Sequence, residues 1–232
     1  MSSGITASSA HASGQLSAHP QRIAQPSGGK PGRHRLGLGD KRDGTFLVPD
    51  RSDAAKPAPL ILALHGAGGL ASQMLDLLAR QAEARGIILL VPESRGPTWD
   101  IIRGGYGPDI AFIDEALQKV FGHYAVDPER IAVAGFSDGA SYALSLGLIN
   151  GTLFSDILAF SPGFMAPTQQ ADAPRVFVSH GVRDEVLPIG PCSRRLVPVL
   201  KQAGYDVEYL EFEDGHVVPP SMIERAMDRF LG

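Results

Sequence analysis

The chain carries one cysteine, Cys192, among 232 residues. No intrachain disulfide can therefore form, and no multi-thiolate metal site can be assembled. The fold has to stand on packing, and a reducing compartment suits it, so the cytoplasm is the expected location. A strong charge of either sign is also lacking, with 21 Lys and Arg against 25 Asp and Glu and a formal net charge of −4. Such a balance does not attract a phosphate backbone or an anionic lipid surface, and no nucleic acid is expected as a partner. No uninterrupted apolar run approaches the ~20 residues of a membrane-spanning helix, and the N-terminus lacks the apolar stretch of a secretory signal. An integral membrane segment is not expected. What is present, 44% hydrophobic and 20% charged residues, suffices for one substantial core.

Acidic residues are absent before Asp40, while Arg22, Lys30, Arg33 and Arg35 are basic and Ser, Ala, Gly, His and Pro dominate. Such a segment buries too little apolar surface to offset the entropy of ordering it. Residues 1–38 are expected to form a disordered tail, and their bias suits an organelle transit peptide as the alternative to a cytoplasmic location. The remainder, residues 39–232, shows no internal repeat and reads as one domain.

From Thr45 onward short aliphatic runs alternate with helical patterns, the signature of a parallel sheet covered by helices. The expected strands are Thr45–Val48, Leu60–Leu64, Ile87–Val91, Ile131–Ala134, Ile157–Phe160, Val176–Ser179 and Val207–Phe212. The last alternates charged and apolar residues and should form an edge. Helices are expected over Ser72–Arg85, Asp109–Tyr124, Ala140–Ile149, Pro191–Ala203 and Ser221–Leu231. The fold class is α/β, with a mainly parallel central sheet flanked by helices. No insertion is long enough to build a large cap domain.

In such sheets ligands bind beyond the carboxyl ends of the strands. There Gly135-Phe136-Ser137-Asp138-Gly139 gives G-x-S-x-G between a strand and a helix, which lifts a serine hydroxyl onto the sheet rim at a helix N-terminus. A serine is a weak nucleophile without a base, and His216, on the loop after the last strand, can supply one. The base needs a carboxylate to fix its tautomer. Asp184, on the preceding rim loop, is preferred to Glu213 and Asp214, which lie too near His216 along the chain to face it. His180 is expected to be structural. Developing negative charge on a tetrahedral intermediate calls for backbone donors, here Asp138 and, from Leu64-His65-Gly66-Ala67-Gly68-Gly69, Ala67 or its neighbour Gly66. His65 should turn inward and hold that loop. Trp99, Phe164, Met165, Leu187 and Val217 could line an apolar substrate site, with Ser94–Pro108 as a mobile wall.

The same glycine-rich stretch, Gly66-x-Gly68-x-x-Ala71 with Glu93 after the next strand, also fits a relaxed dinucleotide fingerprint, so an NAD(P)-binding oxidoreductase is an alternative. A hydrolase-like scaffold that only binds ligands is another.

Across about Thr45 to Gly232 the chain resembles serine esterases of the α/β-hydrolase superfamily. It is most similar to the phospholipase/carboxylesterase and acyl-protein thioesterase group, with features of polyhydroxyalkanoate depolymerase-like and feruloyl esterases. The resemblance lies in Leu64-His65-Gly66, the pentapeptide around Ser137, Asp127-Pro128-Glu129-Arg130-Ile131, Ser161-Pro162-Gly163, His180-Gly181 with Asp184, and Gly215-His216. It implies Ser137 as nucleophile, Asp184 as orienter, His216 as base, and donors at Ala67 and Asp138. The implied substrates are small-molecule carboxylic esters or thioesters of small or medium acyl groups, with no metal and no organic cofactor. Asp138 departs from the Gln, Met, Asn or His that many relatives carry after the serine. Its side chain is expected to point away from the developing oxyanion into hydrogen bonds.

Overall fold

The computed structural model describes residues 9–20, 30–39, 41–51 and 56–232. Their eight strands form a single sheet: β1 (Gly32–Arg35), β2 (Gly44–Val48), β3 (Ala58–Leu64), β4 (Ile88–Pro92), β5 (Val126–Phe136), β6 (Asp156–Phe160), β7 (Arg175–Gly181) and β8 (Val207–Phe212). The order across the sheet is β1-β2-β4-β3-β5-β6-β7-β8. The β1–β2 and β2–β4 pairs are antiparallel and all others are parallel. The alternating strand, β8, lies at the edge, as its pattern implies.

Period-two alternation decides which layer each strand residue enters. Leu60, Leu62, Ile131, Val133, Ile157, Val176 and Val178 face one apolar cluster, while Ile61, Ala63, Ala132, Ala134, Leu158 and Phe177 face the other. Helices α3 (Pro108–His123), α4 (Asp138–Ile149) and α5 (Ser193–Gln202) cover the first face. Helices α2 (Ala71–Arg85) and α6 (Pro220–Leu231) cover the second. Both faces of the inner strands are thus dry, which is why they are written as near-continuous apolar runs rather than as alternations. From β3 the chain moves outward to β4, whereas from β5 it steps to β6, β7 and β8 on the other side. The rim between β3 and β5 is therefore the topological switch point, where a crevice opens above the strand ends.

The N-terminal expectation requires correction. The parts of the tail at 1–8 and 21–29 lie outside the described residues, but residues 9–20 and 30–39 pack on the domain. A short helix, α1 (Ser9–Ala12), leads into an extended stretch whose Ser17 and Ala18 N–H groups donate to Asp114 Oδ1 at 2.9 and 2.8 Å. The Ser17 hydroxyl donates to Asp114 Oδ2 at 2.6 Å, and His11 Nε2 lies 3.1 Å from the same oxygen. Asn150 clasps the stretch too, taking Leu16 N–H and donating to Gly14 O. Farther on, β1 adds an edge to the sheet and Leu36 is fully buried. This polar segment is ordered by buried acceptors on α3 and after α4, a source of stability that its own apolar content does not reveal.

Burial alone would raise the Asp114 carboxyl, but hydrogen bonds from Ser17, His11 and Ala18 outweigh it and hold the group below the usual carboxylate range. Asp114→Ala is expected to lower unfolding free energy in urea by about 2–3 kcal/mol, because buried N–H groups lose their acceptor. It should also speed proteolytic cleavage within residues 9–20. A depressed carboxylate contributes fully above its unfolded value of about 3.9 and loses its contribution as the pH falls through its folded value. The difference between wild type and variant should therefore narrow below about pH 4.

Candidate active site

Ser137 follows β5 directly and caps α4, with φ 58° and ψ −122°, a conformation that side chains rarely adopt. Its N–H donates to Phe160 O at 3.0 Å, and its carbonyl receives Ala140 and Ser141 N–H at 2.9 and 3.1 Å. The flanking glycines serve close approach rather than the unusual dihedral angles, which fall on the serine itself. A Cβ on Gly139 would stand 2.1 Å from Leu64 O, and one on Gly135 would stand 2.1 Å from Gly139 O. Ser137 is thereby driven to the rim at the positive end of α4, and only 8% of it remains exposed.

Three distant segments meet there. His216 Nε2 lies 2.9 Å from Ser137 Oγ, and His216 Nδ1 lies 2.6 Å from Asp184 Oδ2. Asp184 Oδ1 accepts Val186 and Leu187 N–H at 2.9 and 2.8 Å. Burial tends to raise this carboxyl, but the bonds from His216 and the Leu187 N–H prevail and keep it below the usual range. Asp214 instead accepts its neighbour Gly215 N–H, and Glu213 reaches out to Arg183. Neither touches His216. The Phe136 ring, 4.7 Å from the imidazole centroid, backs His216; sequence reasoning passed over it although it occupies a variable position of the pentapeptide.

The loop after β3 runs beside the serine, and a Cβ on Gly66 would stand 3.3 Å from that of Ser137. His65 is buried; burial pushes its imidazole below the ordinary value. Its Nδ1–H donates to Gly66 O at 2.7 Å and its Nε2 accepts Ser94 N–H at 3.1 Å. Gly69 N–H also donates to Gly66 O, which turns that carbonyl away from the rim. Among the described residues the N–H groups of Ala67 and Asp138 meet no acceptor in the chain. The Asp138 carboxylate accepts the Thr98 hydroxyl at 2.6 Å. Thr98 is a second residue that the sequence did not single out.

Trp99, expected on the pocket wall, is fully buried instead. Its Nε1–H donates to His65 O at 2.8 Å and its ring lies 4.9 Å from His65 and 5.2 Å from Tyr142. The Ser94–Pro108 segment is accordingly pinned rather than loose. Asp100 N–H donates to Asp109 Oδ2 while Asp109 N–H donates back to Asp100 Oδ2. A tryptophan in a glycine-rich rim segment anchors that segment because its large apolar ring gains more from burial than from solvent. Phe164 and Leu187 are half-buried, and Leu187 rests against Gly163; Val217 is 42% exposed beside His216. A cleft of about 290 Å³ that the sequence did not indicate opens on the α2 side, lined by Gly66, Ala67, Gln73, Met74, Leu77 and Phe136. Glu93, the acid of the dinucleotide alternative, is already engaged: its Oε1 accepts Ala71 N–H at 3.1 Å and closes the N-terminus of α2 where a pyrophosphate would sit.

The sequence profile of the phospholipase/carboxylesterase family matches residues 109–231. The chain belongs to that family. The matched residues of this α/β-hydrolase include Ser137, Asp184 and His216 but not the loop after β3. Among curated proteins, the family member is 27% identical over 156 residues to feruloyl esterase C of Emericella nidulans, covering 64% of this chain and 57% of that one. It is 35% identical over 116 residues to acyl-protein thioesterase 1 of Gibberella zeae, covering 45% of this chain and 48% of that one. The matches to the fungal feruloyl esterases span between 56% and 59% of those proteins. Among solved structures, esterase PE8 superimposes with TM-score 0.67 at 22% identity, covering 83% of this chain and 99% of that one. The Bacillus cereus carboxylesterase gives TM-score 0.62 at 22% identity, covering 80% and 91%. Among the described residues no helix is long and apolar enough to cross a membrane.

Gly139→Ala should cost about 3 kcal/mol or more, since no flexible side chain can yield to a Cβ wedged against backbone carbonyls. Gly122→Ala, near the end of α3 with open space around it, should be neutral or gain up to about 1 kcal/mol. Thermal melting of the pair distinguishes a steric requirement from ordinary helix propensity.

Proposed function

We propose that this chain is a carboxylesterase-type serine hydrolase that cleaves esters or thioesters of small or medium acyl groups. The observation that carries the reading is the unbroken contact from Ser137 Oγ through His216 to Asp184. Ser137 Oγ attacks the carbonyl carbon as its proton passes to His216 Nε2. The resulting oxyanion is received by the N–H groups of Ala67 and Asp138. Collapse breaks the ester bond, and His216 returns the proton to the departing alcohol or thiol. Water then attacks the acyl-serine as its proton passes to His216; the second intermediate collapses with cleavage of the Ser137 Oγ–acyl bond, His216 returns that proton to Oγ, and the acid leaves. Each step is complete with these groups, so the reaction invokes no cofactor. A cleft near 290 Å³ lies at the small end of ligand sites, which favours compact acyl groups over long chains. Phe164, Leu187 and Val217 are further candidate contacts.

Wild-type protein should bind a fluorophosphonate covalently and hydrolyse p-nitrophenyl acetate, and Ser137→Ala should lose both. His216→Ala should reduce kcat by about 10³-fold or more. Folded wild-type protein that neither labels nor turns over would end this reading. Asp138→Asn should stay within about tenfold of wild type, or 1.4 kcal/mol, because the carbonyl of asparagine can still accept the Thr98 hydroxyl. A loss as deep as that of Ser137→Ala would show the carboxylate itself to be required.

A further inference from the structure

His180, at the end of β7, is fully buried and touches Asp184 as well as its own loop. Its Nε2 lies 2.8 Å from Leu187 O and 3.2 Å from Asp184 Oδ2, and its Nδ1 lies 2.6 Å from Ser193 Oγ. An imidazole nitrogen between two acceptors has to carry the proton, so Nε2–H donates and Nδ1 receives the Ser193 hydroxyl proton. Burial, the leading influence, pushes His180 below the ordinary imidazole value, which suits this neutral tautomer. Asp184 Oδ2 is thus bonded to His216 and lies 3.2 Å from His180 Nε2, whose N–H is directed to Leu187 O, while Oδ1 is taken by two backbone N–H groups. Gly181 lets the His216 loop reach this point, since a Cβ there would stand 2.3 Å from Gly215 O.

Resting on the hydrolytic reading of Ser137, His216 and Asp184, we propose that His180 is a positioning residue of the centre: its Nε2–H, bonded to Leu187 O, holds the turn whose N–H groups fix the Asp184 carboxylate, and its positive edge beside Oδ2 withdraws part of that charge from His216. Two consequences follow from the geometry. The same N–H ties Leu187 O, and Leu187 N–H ties Asp184 Oδ1, so the turn and the carboxylate are held as one unit. Oδ2, with a second imidazole nitrogen 3.2 Å away, also accepts less strongly from His216 than a carboxylate with one imidazole neighbour would. The groups facing His180 are Asp184 and His216, Glu211 across the β7–β8 pairing, and Ser193 of α5 with Cys192 before it. Glu211 is itself held by Arg194 at 2.7 Å.

His180→Leu removes the donor; in His180→Gln the terminal amide can reach the Nε2 position and restore it. Profiles of kcat/KM against pH for p-nitrophenyl butyrate, normalised to Ser137 titrated by fluorophosphonate, separate the possibilities. With the leucine, kcat per labelled site should fall about tenfold while KM stays within about twofold. The acid limb should move up by about 0.5–1 pH unit, and the glutamine should bring it back. An acid limb that stays in place while activity falls with melting temperature would reduce His180 to a packing residue and overturn the proposal, as would full activity in the leucine variant. If the leucine variant does not fold, Ser193→Ala weakens the same donor by removing its hydroxyl partner. The downfield proton resonance of His216 Nδ1–H should then shift, and an unmoved resonance would overturn the proposal. That resonance is read without turnover. Wild-type protein that fails to label sinks the hydrolytic reading, whereas labelled protein with an unmoved limb sinks only the role of His180.

Discussion

A contact between backbones at the switch point governs this structure: Gly139 at the start of α4 is pressed against the Leu64 and His65 carbonyls at the end of β3. Because no side chain intervenes, α4 begins immediately after β5, and Ser137 is left at φ 58° on the turn between them. The dihedral cost is offset by backbone hydrogen bonds on both sides of the residue and by burial of α4 from Gly139 to Ile149. The same contact brings Gly66 beside Ser137, so the serine and the loop after β3 are placed by one packing decision. A strained residue can persist only where its surroundings over-determine it, and here the surroundings are the middle of the sheet.

Around that point several buried polar groups are paired. His65 bridges Gly66 and Ser94, Trp99 holds His65 O, and Thr98 draws the Asp138 carboxylate aside. Asp184 collects two backbone N–H groups and the His216 imidazole, with His180 Nε2 3.2 Å away. An incompletely satisfied network of this kind would cost more than an apolar filling, because removal from water strengthens both the pairings made and the penalty for those missed. These bonds tie the rim loops to the end of the sheet, and Trp99 packs against His65 within it.

Much of this organisation was legible in the chain. The parallel strands announced themselves as apolar runs because both faces are covered, and β8 announced itself as an edge by alternation. The pentapeptide around Ser137 could be read because a tight strand-to-helix turn demands small residues at fixed local spacing, and Asp184 and His216 because each follows a strand at the same end of the sheet. The order of residues 9–20 and 30–38 lies outside what composition shows for a physical reason: the first segment is held by Asp114 and Asn150, about a hundred residues away, and the second by pairing of β1 with β2, and composition records what a segment can bury but not what receives it. Trp99 was misplaced because an aromatic in a glycine-rich stretch has the same sequence appearance whether it lines a cleft or plugs the floor beneath one.

Local sequence determined the period of each element, the glycines that permit close approach, and the strand-end positions of Ser137, Asp184 and His216, because these depend on neighbours within a few residues. Tertiary structure alone decided which oxygen of Asp184 meets His216, that His180 lies beside it, that Thr98 takes the Asp138 side chain, and that a cleft opens beside α2. Those outcomes depend on hydrogen-bond directions and residual space between segments brought together by sheet pairing, and neither quantity exists until the strands are in register.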